Sequence, residues 1–76
     1  MKMVKIDVSG MSSEKSVNEI NAVLLKIDGV KTADAVLKEN AVYIIFNDNH
    51  VDIENIKNNI EKLGYTPGLH ITWTIS

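Results

Sequence analysis

Ser13 and Ser16 are the residues of this 76-residue chain whose spacing raises a question of chemistry. They stand in Gly10-Met11-Ser12-Ser13-Glu14-Lys15-Ser16, between a strand-like run and a helix-like run. A pair of cysteines at that spacing would grip a soft metal ion, because a helix start and a metal together pull a thiol to thiolate. A serine hydroxyl is far more basic and a harder ligand, so its neutral oxygen binds Cu(I) feebly. Zinc–thiolate sites contribute roughly 10–16 kcal/mol, and most of such energy goes when both sulfurs are lost. The chain contains no cysteine, which removes disulfides, thiol nucleophiles and thiolate metal sites together. Serine at a helix start has a second use. It is a favoured N-cap, and one of Ser12, Ser13 and Ser16 is expected to cap the helix for about 1 kcal/mol. The free amides there would also attract a small anion, which Glu14 opposes.

Other candidates carry weaker chemistry. A lone Met11 after a glycine reads as core filling rather than as a thioether ligand. His50 lies in a polar stretch and is expected in solvent, as are Lys15 and Lys62. His70 alternates with apolar neighbours and is expected on an open sheet face. The two histidines share no spacing that predicts a common metal. No Ser/His/Asp arrangement is suggested, and neither Ser13 nor Ser16 has an evident base, so the chain does not read as an enzyme. The net charge is −2 and all eight basic residues are lysines. There is no basic face for nucleic acid and no arginine for bidentate grip of phosphate.

The elements that position these residues follow from periodicity. Met3 to Val8 alternates, with Val4, Ile6 and Val8 on one side, as a half-buried strand does. Ser9 and Gly10 end it. Val17, Ile20, Leu24 and Ile27 then form a helical stripe over Val17–Ile27. Ser16 three residues before Glu19 matches a capping box, and Gly29 is a stop signal. Val30 to Leu37 is a weaker strand with Ala33 and Ala35 on one face. After the polar turn Lys38-Glu39-Asn40, Ala41 to Phe46 is the strongest strand, with Val42, Ile44 and Phe46 opposed to Tyr43 and Ile45. Asp52 caps a second helix carrying Ile53, Ile56, Ile60 and Leu63, ended by Gly64. This stripe repeats the first one 36 positions on. Tyr65-Thr66-Pro67-Gly68 is a turn. In the final strand Leu69, Ile71, Trp73 and Ile75 alternate with His70, Thr72 and Thr74, and Trp73 is expected in the core. The order βαββαβ with matched halves predicts an α+β, ferredoxin-like sandwich in one domain over 1–76. It has a four-stranded antiparallel sheet and two helices on one face.

On that frame the chain resembles the heavy-metal-associated domain family, the fold of copper chaperones and of the N-terminal domains of metal-transporting P-type ATPases. The resemblance covers roughly residues 3 to 67. It rests on Val8-Ser9-Gly10-Met11, Asp28-Gly29-Val30 and Leu63-Gly64-Tyr65, in order and at matching separations. The family motif is Gly-Met-x-Cys-x-x-Cys. Gly10 and Met11 fit it, while Ser13 and Ser16 occupy the two cysteine positions. The resemblance implies that Met11 packs beneath the loop and that Tyr65 approaches the metal site from the opposite loop. It also implies copper or other soft-metal handling by descent, with the ligand positions vacant. No cofactor is expected in this form, and Cu(I) or another soft metal is expected if cysteines are restored. Natural divergence and a Cys→Ser exchange both produce this pattern. The apolar tail 68–76 is longer than the family pattern.

The expected partner is a metal-transporting ATPase domain or a related metal-handling protein. The alternative is a metal-independent interaction or regulatory module on the same fold. Amino-acid-sensing domains share the topology but not the Gly10-Met11 loop or the Tyr65 match. An acylphosphatase would need an arginine, and an RNA-recognition domain would need stacking aromatics and a basic surface. The N-terminus has no signal-like apolar core and no run is long enough to span a bilayer. A cytoplasmic location without membrane insertion is therefore expected. The apolar final strand is a candidate sheet edge, for which a monomer or a weak edge-strand dimer is expected.

Overall fold

The computed structural model describes residues 1–75. Its elements are β1 (Lys2–Ser9), α1 (Glu14–Leu25), β2 (Val30–Val36), β3 (Ala41–Phe46), α2 (Ile53–Lys62) and β4 (Thr66–Thr74). The strands form one antiparallel sheet in the order β2-β3-β1-β4. The ferredoxin-like topology is the one that the repeated stripes predict.

The alternation in β1 and β3 has the consequence expected of a period of two. Val4 lies opposite Ile44 and Ile6 opposite Val42, and all four are fully buried. Ile20 and Leu24 from α1 and Ile56 and Ile60 from α2 join them in one core. Both helices therefore cover the same face of the sheet. Ala35 of β2 is buried opposite Val42, and its amide donates to Asn21 Oδ1 of α1 at 2.8 Å. A short 3-10 turn over Leu37–Glu39, closed by Asn40 at φ 51°, joins β2 to β3.

Two expectations about α1 are corrected. The helix begins at Glu14 rather than Val17, which puts Ser16 inside its first turn. Ser16 is not the cap, and the capping box with Glu19 does not form. The N-cap is Ser13.

The last strand is corrected as well. It begins at Thr66, directly after Tyr65, where a turn was expected through Gly68. Pro67 lies opposite buried Val8, on the helix side of the sheet. Unbroken alternation from Pro67 would carry Leu69, Ile71 and Trp73 to that side too. Instead the next pair is Ile6 with His70, so β4 spends three steps where β1 spends two. One extra residue in a strand inverts the facing of everything after it. His70 and Thr72 now share the helix side with Ile6 and Val4, while Ile71 and Trp73 share the open face with Lys5 and Met3. Trp73 is 42% exposed and is not a core residue, and His70 is not on the open face.

Candidate functional site

The site lies where β1 hands the chain to α1. The core's pull on Val8 from one side and on Val17 from the other leaves Gly10–Ser13 as the connecting loop. Met11 is buried within the core cluster, so the loop is anchored by an apolar side chain. Gly10 has φ 105°, and a Cβ there would stand 3.3 Å from Tyr65 Cδ1. The Tyr65 ring thus lies against the glycine, approaching the loop from the end of α2. Its hydroxyl donates to Glu19 Oε1 at 2.9 Å. Glu19, read from the sequence as half of a capping box, instead fastens α1 to this tyrosine. The two partners are 46 positions apart, and nothing local in the sequence marks such a pair.

The two serines occupy unlike surroundings. Ser13 is exposed and extended, with φ −160° and ψ 172°. Its carbonyl accepts from the amides of Ser16 at 3.0 Å and Val17 at 3.3 Å, which starts the helix. Its side chain makes no capping bond. Ser16 is buried, and its Oγ accepts a long bond of 3.4 Å from the Ser12 amide. Among the described residues no buried side-chain nitrogen or oxygen lacks a partner. The Ser16 hydroxyl is therefore turned back into the loop, and no orphaned oxygen is aimed at a ligand. Glu14 is the acidic residue of the first α1 turn.

Two neutral hydroxyls, one of them internally engaged, do not fit a soft cation. Other donors do not gather to replace them. His50 lies in the loop between β3 and α2, next to Gly29, and His70 lies on β4 opposite Ile6. Among the described residues no group of three His, Cys, Asp or Glu side chains comes together. An open recess of about 550 Å³ lies at the other end of α1, lined by Lys26, Asp28, Gly29, Lys31 and His50 among others. Its cationic side chains and the carbonyl end of the helix favour opposite ligands.

On the open face, Tyr43 donates to Glu39 Oε1 at 2.6 Å. Lys5 Nζ lies 3.9 Å from the same carboxylate and 5.9 Å from the Tyr43 ring centre. The bond to Glu39 raises the Tyr43 hydroxyl above its usual value of 10.0, aided by partial desolvation and the Glu39 charge.

Known proteins share both the sequence and the shape. The family model of the heavy-metal-associated domain matches residues 5–66. A copper chaperone, CopZ of Staphylococcus epidermidis, is 43% identical over 60 residues, which are 79% of this chain and 88% of that protein. The copper-transporting ATPase RAN1 of Arabidopsis thaliana is 31% identical over 65 residues, 86% of this chain and 6% of that much longer protein. Among solved structures, a copper-binding domain of the P-type ATPase HMA7 superposes with a TM-score of 0.87 at 31% identity, covering 90% of this chain and 92% of that one. With the βαββαβ frame, the Gly10-Met11 loop and the Tyr65 contact in place, these matches agree: the chain belongs to the heavy-metal-associated domain family, related to copper chaperones and ATPase metal-binding domains, and lacks the cysteines.

Proposed function

We propose that this chain is a single-domain, cytoplasmic metal-handling scaffold that carries no soft metal tightly as it stands. In this reading it meets its partner through the loop around Ser13. Ser13 and Ser16 stand at the two ligand positions, and Gly10, Met11 and Tyr65 hold the loop in shape. The observation that carries the reading is the state of Ser16. Its hydroxyl is buried and bound to the Ser12 amide, so the loop is folded by hydrogen bonds without a thiolate or a metal. The partner class is a metal-transporting ATPase domain or a related metal-handling protein, as the names of the relatives support. A surface that is already shaped can dock without the ordering cost that a mobile loop would add.

The test is a titration of the isotopically labelled chain with the N-terminal domain of a copper-transporting ATPase, without metal, followed by NMR. Shifts confined to Gly10–Ser16, the start of α1 and Tyr65 are expected. Unchanged spectra at millimolar partner would contradict metal-free docking. Shifts confined to α2 would contradict this surface and favour a regulatory module that uses another face.

A further inference from the structure

Among the described residues the outer edge of β4 has no neighbour in the sheet, and its chemistry singles out one occupant. From Thr66 to Ile75 the chain carries no lysine, arginine, aspartate or glutamate. Edge strands are commonly protected by charge, proline or a bulge. Pro67 and the bulge protect only the first residues of this strand. The other edge, β2, carries Lys31 and Asp34. The uncharged part of β4 also lies beyond the stretch that the family model matches.

The backbone fixes which groups are free. The Ile75 amide donates to the Met1 carbonyl at 3.0 Å. Strand backbone groups alternate in direction, so Ile71, Trp73 and Ile75 bond towards β1. The amides and carbonyls of His70, Thr72 and Thr74 then point outward. We infer that this edge pairs with the same edge of a second copy, antiparallel, about a two-fold axis at Thr72. Thr72 then faces the partner's Thr72, and His70 faces the partner's Thr74. These are the residues whose backbone groups point outward, and they supply about six hydrogen bonds. The same register sets Ile71 against the partner's Trp73 as a close non-hydrogen-bonded pair on the open face. Exposures of 58% for Ile71 and 42% for Trp73 leave both available for it. Next to Trp73 along the open-face row stand half-buried Met3 and Ile45, which extend the apolar strip inward.

Electrostatics permits self-pairing. The nearest lysine, Lys5, sits one strand inside the edge, opposite Ile71. The two copies' Lys5 side chains start from backbones at least three strand spacings apart, about 14 Å, beyond a Debye length of about 10 Å. The joined sheets make an isologous dimer with one continuous sheet.

Sedimentation velocity over a wide concentration range tests this, with emission from Trp73, the chain's sole tryptophan. A rise from 8.4 kDa to twice that mass, with a parallel blue shift, is expected. Thr72→Pro removes an outward amide while leaving the β1 ladder its donors, and Ile71→Lys places a charge against the partner's Trp73. Each is expected to weaken the dimer at least about tenfold, with far-UV circular dichroism reporting that the fold is kept. Mixing Ile71→Lys with Trp73→Glu sets the introduced ammonium against the introduced carboxylate and is expected to restore a mixed dimer. A single monomeric species at millimolar concentration would overturn the inference. So would a dimer of undiminished affinity in folded Ile71→Lys, which would place the contact elsewhere.

Discussion

The two halves of the repeat begin and end their helices differently. In the second half Asp52 caps α2 with its side chain, accepting from the Asn55 amide at 2.8 Å. In the first half Ser13 stands at the same structural position and leaves its side chain free. At the other ends, Gly29 and Gly64 both take positive φ, 98° and 97°. A Cβ on Gly29 would meet His50 Cβ at 2.9 Å and Val51 Cγ1 at 3.1 Å, whereas one on Gly64 would meet nothing within 4 Å. The second half uses its helix start for folding. The first half leaves its helix start available and is held instead by tight packing at its far end and by Tyr65. A fold that repeats itself can thus separate support from site.

The largest effect should come from the glycines. Gly29→Ala adds steric crowding to an unfavourable φ and is expected to cost about 3 kcal/mol, against about 1 kcal/mol for Gly64→Ala. Urea unfolding of both variants checks this, and equal losses would remove the distinction between the halves. The caps come next. Asp52→Ala is expected to cost about 1 kcal/mol, while Ser13→Ala should change stability by only a few tenths, since no capping bond is lost. A Ser13→Ala loss as large as that of Asp52→Ala would show that Ser13 caps in solution.

The smallest effect lies at Tyr43, away from both helix starts. The folded chain holds this phenolic proton more firmly than an unfolded one, because Glu39 accepts it. That contribution is fully present below pH 10.0 and is lost as pH rises through the raised value. Ultraviolet titration should show Tyr43 ionising above 10.0, and Glu39→Ala should bring it down. No change in Glu39→Ala would contradict the assignment.

The framework of the molecule was legible because its signals are local. Val4, Ile6 and Val8 alternate, Ile56 and Ile60 recur at helical spacing, and these patterns alone specify strand and helix. The family likeness singles out Gly10, Met11 and Tyr65, and in the structure Met11 is buried and the Tyr65 ring lies against Gly10. Three features were not legible. The facing of β4 turns on one extra residue after Pro67, and alternation in Leu69–Ile75 reads the same whichever way it points. The pairing of Tyr65 with Glu19 joins distant positions, so no short pattern encodes it. The start of α1 at Glu14 is not marked, because Glu14, Lys15 and Ser16 precede the apolar stripe. Polar residues in a first turn carry no periodic signal.

On the proposed function, the scaffold is a metal carrier's and the serines empty it. A Cu(I) titration against a competing chelator, on this chain and on Ser13→Cys/Ser16→Cys, tests it most directly. One tight equivalent taken up by the double cysteine variant alone is the predicted result. Tight binding by the chain as it stands would contradict the reading of Ser13 and Ser16. Failure of both proteins to bind would contradict the assignment of these positions as the ligand sites.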